Sequence, residues 1–325
     1  SSSRSAGVWK STDYGSTWAA TGLFIDYTTS STDGYKLLMD PSNSNTLYAV
    51  MTNGLHKTTD AGATWTVVKT GSYRDMEFKP GNSNVLYLAS SNAVHRSLDA
   101  GATWTQVYTV AGANRLALGV TPANSSYLYV LAGPNSGTGA YLGVHRSVDG
   151  GTTWTVQSTT PNILGYSNTG NDASNQSWYD LAIAVSPTNA NQIFTGGVNV
   201  WGSTNGGVTM NIQSYWVEGT AGYQYTHADI HELVFNGNYL YCGSDGGVYR
   251  TTNMGTNWSD ISPGLGITEW YRFGGTPQNT SLYIGGAQDN GTNKLEAPIP
   301  DLTMEHLYGA DGMEAAIDPT NTSVM

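Results

Sequence analysis

The chain has 325 residues, of which only 11% are charged, and 13 Lys and Arg against 24 Asp and Glu leave a formal net charge of −11. Binding to phosphate backbones needs a basic face, so this balance excludes nucleic acid as a partner and disfavours an anionic membrane surface. With 40 Gly, 21 Tyr and 10 Trp among abundant Ser, Thr and Asn, the composition favours short strands and tight turns over helices, and no apolar run reaches the length of a membrane span.

Along the chain, Ser1–Ser5 read as the start of a processed product. Next comes an octapeptide, Ser/Thr-x-Asp-x-Gly-x-Thr-Trp, at Ser11–Trp18, and it recurs at Thr58–Trp65, Ser97–Trp104 and Ser147–Trp154. A decayed copy, Ser203–Met210, has Asn205 for Asp and Met210 for Trp, and a variant with Asn253 spans Thr251–Trp258. Asp13, Asp60, Asp99, Asp149, Asn205 and Asn253 therefore follow one another at intervals of 39 to 56 residues, close to one four-stranded propeller blade. Most boxes follow a strand-like tetrapeptide (GVWK, GLHK, AVHR, GVHR, GVYR), and further upstream lies a Pro-Asn turn and an apolar, Tyr-containing strand. Each unit reads strand, turn, strand, turn, strand, box, strand.

The box has a physical logic. Its Gly takes φ > 0 without steric cost, its Asp accepts backbone N–H groups, its hydroxyls close the loop, and its Trp begins the last strand. A turn repeated in every unit cannot mark one active site, so Asp13, Asp60, Asp99, Asp149, Asn205 and Asn253 read as structural. The same holds for His56, His95, His145, Arg96, Arg146 and Arg250, which share the position before the box. The lone cysteine, Cys242, excludes an intrachain disulfide and reads as a small core residue.

Turns near Pro41, Pro80, Pro122, Pro187, Pro277 and Pro319, with Asn236-Gly237, make seven, against six boxes. The expectation is an all-β, seven-bladed β-propeller of four-stranded blades forming a single domain over 1–325. Residues 310–325 would give the first two strands of the blade that residues 7–21 finish. Closure of that kind removes exposed sheet edges. The chain stops inside an apparent strand, which suggests a piece of a longer polypeptide.

The boxes, from Ser11 to Trp258, resemble the Asp-box (BNR) repeat superfamily of sialidases, two-propeller xyloglucanases, sortilin-type propellers and photosystem assembly propellers. The segments His227–Phe235, Gly243–Thr251, Gly285–Thr292 and Gly309–Pro319 are similar to large secreted propeller proteins of Bacteroidota type, labelled glycosyl hydrolase or sortilin-like. The resemblance implies a secreted or cell-surface location, export by type IX secretion, and further domains in a longer parent chain.

A sialidase resemblance would require three arginines on a carboxylate, and the chain offers no such set. A xyloglucanase resemblance would require two opposed carboxylates, for which Asp229, Glu232, Asp289, Asp311 and Glu314 are candidates without a pairing fixed by spacing. His227, Asp229 and His231 alternate as a strand would, placing all three on one side. Asp245, Gln288, Asp289 and Asp311 lie in Gly-flanked loops of later units that could converge with them. Such a group could bind a ligand, hold a divalent cation such as calcium, or form a hydrogen-bonded polar plug. Trp178, Tyr179, Trp201, Tyr215, Trp216, Tyr223, Tyr225, Trp270 and Tyr271 stand outside the box Trp position and suit either sugar stacking or packing between blades. The Asn/Ser/Gly/Thr-rich stretch from Ser158 to Ser177 reads as a long surface loop. Three functions follow in order: a binding or adhesion module for glycan or protein ligands, a xyloglucanase-like glycoside hydrolase, and a sortilin-like peptide or protein receptor.

Overall fold

The computed structural model describes residues 4–134, 139, 141–296 and 304–325. Among these, 26 strands form one two-stranded and six four-stranded antiparallel sheets. The two-stranded sheet pairs β1 (Gly7–Lys10) with β2 (Ala19–Phe24). Next come β3 (Gly34–Asp40), β4 (Asn43–Met51), β5 (Gly54–Thr58) and β6 (Thr66–Lys69), then β7 (Asp75–Lys79), β8 (Asn82–Ala89), β9 (Ala93–Ser97) and β10 (Thr105–Thr109). The next two sheets are β11 (Ala113–Val120) to β14 (Thr155–Ser158), through β12 (Leu128–Pro134) and β13 (Gly143–Ser147), and β15 (Ala182–Val185) to β18 (Asn211–Ser214), through β16 (Ile193–Gly196) and β17 (Val200–Ser203). The last two are β19 (Ile230–Asn236), β20 (Tyr239–Ser244), β21 (Gly247–Thr251) and β22 (Ser259–Asp260), and β23 (Trp270–Thr276), β24 (Asn279–Ala287), β25 (Thr292–Glu296) and β26 (Glu305–Tyr308). Within every sheet the strand order follows the chain.

Each box sits where the sequence places it. In the four-stranded sheets it joins the third strand to the fourth, as between β5 and β6, and the first box joins β1 to β2. The expected strands in residues 310–325 are absent: the described chain there is irregular. Its Asp318 turn does form, with Oδ1 accepting from the backbone N of Thr320 and Asn321, but no partner strand extends it within this segment. The chain divides into two compact units, Ser1–Ser244 with Tyr249–Ser259, and Asp245–Val248 with Asp260–Met325.

In the first unit, the cores lie between successive sheets. Tyr48, Val50 and Leu55 pack with Met76, Leu86 and Leu88 of the next sheet, and Tyr87, Ala89 and Val94 pack with Leu116, Leu118, Leu128 and Val130 of the one after. A second strand is thus covered on both faces, which is why β8 and β12 read as near-continuous apolar runs rather than alternating ones. Cys242 is fully buried in such a core, as its sequence context implies, and burial pushes its thiol above the ordinary range.

A second device joins neighbouring sheets. Tyr48 Oη and Lys57 Nζ both donate to the Ala100 carbonyl in the next box, at 2.7 and 2.8 Å. Tyr87 Oη and Arg96 Nη1 do the same to the Gly150 carbonyl, at 3.3 and 2.7 Å. Lys57 and Arg96, the cations before their boxes, therefore each hold the following box. Ala61 and Ala100, the residues before the box Gly, take positive φ of 58° and 54°, a left-handed turn that turns this carbonyl toward its neighbour.

Candidate functional site

The first strands of the first unit, β3, β7, β11, β15 and β19, lie side by side. They line a cavity of about 360 Å³ that includes Tyr35, Lys36, Arg74, Asp75, Glu77, Arg115, His231 and Glu232. In a chain this poor in charge, the concentration of ionisable groups here marks the cavity as the leading candidate site.

One ammonium serves two carboxylates. Lys36 Nζ on β3 lies 2.7 Å from Asp75 Oδ1 and 2.5 Å from Glu77 Oε1, both on β7. Asp75 and Glu77 are two residues apart and share a strand face. Asp75 is further satisfied by the Met76 N–H at 2.8 Å and by the Leu118 N–H of β11 at 2.6 Å, so it links three sheets. Burial opposes the Lys36 charge, but Asp75 and Glu77 outweigh it and hold Lys36 above the lysine range. Glu77 is pushed up to about 7 by burial, with Asp75 adding and Lys36 resisting. Glu232 is raised by burial too, again against Lys36. Arg115 is lowered by burial and then by Arg74.

Beside the cavity, Gln176 ties two carboxylates together. Its Nε2 donates to Asp229 Oδ1 at 2.5 Å and to Asp180 Oδ2 at 3.4 Å, while its Oε1 accepts from Tyr166 Oη at 3.1 Å. Two bonds on one nitrogen keep those carboxylate oxygens within about 6 Å of each other. Asp180 is 1% exposed and its Oδ1 lacks a hydrogen-bond partner among the described residues. Burial, then the Asp229 charge, push Asp180 well above the carboxylate range despite Arg115.

The sequence placed His227, Asp229 and His231 on one strand face, and the structure does not. The strand starts at Ile230, Asp229 takes a left-handed φ of 63°, and the register shifts between Ile230 and Glu232. Alternation is therefore broken on both sides of Ile230. His231 stands edge-on to Tyr179 at 4.8 Å, and His227 Nδ1 lies 3.3 Å from the Ala228 carbonyl. Among the described residues no three His, Cys, Asp or Glu side chains gather as a metal set, so the proposed cation set of His227, Asp229 and His231 is not assembled.

The second unit gathers its own expected residues. Asp311 Oδ1 accepts from the Asp289 N–H at 3.0 Å, Asn290 Nδ2 donates to the Asp245 carbonyl at 3.2 Å, and the Gln288 N–H donates to the Glu269 carbonyl at 3.0 Å. Tyr271, 43% exposed, is raised by desolvation and then by Asp311 and Asp289. Glu314 instead meets Arg272 at 3.4 Å on an exposed surface. Trp270 packs where a side chain at position 285 would stand, so Gly285 is needed for close approach.

Two further readings are corrected. Trp201 is 3% exposed and belongs to a core, so it offers no stacking face. The stretch from Ser158 to Ser177 is folded inward, with Ile163, Leu164 and Ser177 buried. Asn162 ties it down, accepting from the Tyr141 and Leu164 N–H groups and donating to the Asp172 and Ser174 carbonyls. Trp178, Tyr166, Trp216 and Tyr223 remain 58, 41, 39 and 38% exposed.

Of the cavity's ionisable groups His231 and Glu232 were singled out in the sequence, whereas Lys36, Arg74, Asp75, Glu77 and Arg115 were missed, although a signal exists. Lys36 and Asp75 each stand five residues before their turn prolines, Pro41 and Pro80, while Arg115 and Asp180 each stand seven before Pro122 and Pro187. Charge recurring at matched offsets before the turns of successive repeats marks shared positions.

No family model matches the sequence, and no curated protein matches it. Solved structures do. An ancestral GH74 enzyme aligns over 94% of this chain and 40% of its own, with 17% identity and a TM-score of 0.54. The GH74 xyloglucanase of Xanthomonas campestris aligns over 97% and 51%, with 16% identity and a TM-score of 0.51. YCF48 bound to D1 peptide aligns over 88% and 85%, with 15% identity and a TM-score of 0.52. The chain thus spans about half or less of the two GH74 chains. At these identities the likeness carries the fold and nothing further: the chain is a β-propeller protein.

Proposed function

We propose that this chain is a binding propeller of the Asp-box type, secreted or displayed at the cell surface within a longer parent protein, and that its ligands are glycans or proteins. One observation carries the reading. Trp178, Tyr166, Trp216 and Tyr223 are large aromatics left exposed beside a rigid, inward-tied segment, with Tyr166 and Trp216 ring to ring at 6.4 Å and Tyr166 anchored on Gln176. Exposed aromatics on a fixed support suit stacking on a sugar or clasping a peptide. Among the neighbours, YCF48 carries a bound peptide and the GH74 proteins are enzymes.

A glycoside hydrolase is the second reading, favoured by the Asp180–Asp229 pair, two carboxylates held on one Gln176 nitrogen as a glycosidase needs two carboxyl groups about the scissile bond. Asp180 is too buried to reach a substrate, so the binding reading ranks first. A sortilin-like peptide receptor is the third. The test is a glycan and peptide array probed with the purified chain, paired with a polysaccharide hydrolysis assay. Binding that is lost in the Trp178→Ala/Trp216→Ala double variant supports the proposal. Sugar release that is abolished by Asp229→Asn would replace it with the enzymatic reading.

A further inference from the structure

Among the described residues, two cations face the inner cavity without a counter-ion in contact. Arg74, just before β7, lays its guanidinium over the Tyr35 ring, 5.3 Å from the centroid. Arg115, on β11, donates through Nη1 to the carbonyls of Ser177 and Tyr179, at 3.4 and 2.8 Å. Both residues line the cavity. Among the described residues, neither takes part in an ion pair within 4.0 Å, whereas Lys36 in the same cavity holds two carboxylates. Arg115 is thus fixed by neutral acceptors and Arg74 by an aromatic face, which leaves most of their N–H donors unused.

The arrangement is costly unless water or a negative charge fills it. The two guanidiniums repel, and after burial Arg74 is the largest influence lowering Arg115. Asp75, close enough to favour the Arg115 charge, is already committed to Lys36 and to two backbone N–H groups. Asp180, the other nearby carboxylate, favours the Arg115 charge as well, although burial and Asp229 hold it toward its neutral form.

We propose that the inner cavity is a receptor for a single carboxylate group, gripped between Arg74 and Arg115 with the rest of the ligand against Tyr35. A planar carboxylate matches the guanidinium fork in a way a spherical anion does not. The cavity of about 360 Å³ admits a body no larger than a monosaccharide or a dipeptide. Lys36 is already committed to Asp75 and Glu77, and Glu77 and Glu232 line the same space, so a second negative charge on the ligand finds no free cation there and monoanions are selected over dianions. The carboxylate could arrive on a uronic-acid sugar or on a peptide end. The proposal rests on the binding reading above and locates a second, charge-selective subsite apart from the exposed aromatics.

The test is calorimetric titration of the purified chain, at low salt, with glucuronate and with N-acetylalanine. Glucose, N-acetylalaninamide and inorganic sulfate serve as controls. Binding by either carboxylate, weakened roughly tenfold or more in its uncharged counterpart and in Arg74→Gln, supports the proposal and identifies the source. Arg74→Lys, which keeps the charge and loses the fork, should weaken binding as well and serves if Arg74→Gln fails to fold. Absence of binding by both carboxylates, equal binding of the uncharged compounds or of sulfate, or affinity unchanged in both Arg74 variants overturns it. Array binding that disappears in Trp178→Ala/Trp216→Ala while no carboxylate binds would leave the binding reading standing and this subsite refuted.

Discussion

The two-stranded sheet β1–β2 and the complete sheet β7–β10 contain the same box and treat it differently. Asp13 takes Ser11 Oγ, Thr17 N and Thr17 Oγ1 at 2.8, 2.9 and 2.6 Å, and Asp99 takes Ser97 Oγ, Thr103 N and Thr103 Oγ1 at 2.7, 2.8 and 2.6 Å. Trp18 and Trp104 each donate to the carbonyl of their box Gly, at 3.1 and 3.0 Å. The turn chemistry is therefore local and indifferent to the sheet around it. Burial is not: Trp18 is 61% exposed, whereas Trp104 is half-buried against the Tyr48 and Leu86 core. What a complete sheet adds is the second strand, whose Tyr fills the space between sheets and clamps the next box.

The largest effect that could break this contrast lies in that second strand. Tyr87→Ala removes a side chain 1% exposed and its bond to Gly150, and should cost about 3–5 kcal/mol by denaturant unfolding. Trp18→Ala should stay within about 0.5 kcal/mol. If the two variants unfold alike, burial does not separate the regions. Next in size is Lys36→Met, which strands Asp75 and Glu77. All three side chains are up to a quarter exposed, so the loss should be about 2–4 kcal/mol, below that of a fully buried pair. Adding Asp75→Asn and Glu77→Gln to Lys36→Met should recover much of it, and a triple variant no more stable than Lys36→Met alone would show that the cost lies elsewhere.

The fold was legible because its determinants are local. A box needs only eight residues, and its side chains bond within them, so Asn205 and Asn253 could be recognised even as decayed copies: Asn205 Oδ1 still accepts from Ser203 and the Thr209 N–H. The cavity was not legible because its bonds join residues from different repeats, as Lys36 does with Asp75. Asp229 misled because period-2 spacing carries no sign of the left-handed backbone that interrupts it. The stretch from Ser158 to Ser177 misled because its Asn and Asp side chains look solvent-bound in sequence, yet they satisfy its own buried backbone. Residues 310–325 kept the Pro-Asn turn, a local feature, without the strands that turn joins elsewhere.

A smaller effect sharpens the comparison at the box itself. Asp99→Ala leaves the Thr103 N–H and two hydroxyls without their acceptor in a turn whose carbonyl is clamped by Tyr48 and Lys57. It should lower the melting temperature by a few degrees. Asp13→Ala should lower it less, because among the described residues no Tyr or cation of another sheet donates to the exposed Tyr14 carbonyl of its box as Tyr48 and Lys57 do to Ala100. Equal shifts would mean that the clamp contributes nothing to the box.

The pH dependence of stability should separate the box from the cavity. Asp13, Asp60 and Asp99 are lowered to about 2 by hydrogen bonds, first from their Thr partners, against about 3.9 in an unfolded chain. A depressed acid contributes stability that is fully present above its unfolded value and is lost as pH falls through its folded one, so the box contribution should fade from about pH 4 toward 2. Glu77 has the opposite sign. Burial lifts it to about 7, above about 4.3 in the unfolded chain, so the folded state binds its proton first. Stability from this group falls as pH rises from about 4.3 through 7. The melting temperature should therefore peak between about pH 4.5 and 6 and decline on both sides. Glu77→Gln should flatten the neutral-side decline and leave the acid-side loss in place, whereas Asp60→Asn should soften only the acid side. A Glu77→Gln profile that still falls from pH 5.5 to 7.5 as steeply as the unaltered chain would move the neutral-side titration from Glu77 to the other raised carboxyls, Glu232 and Asp180.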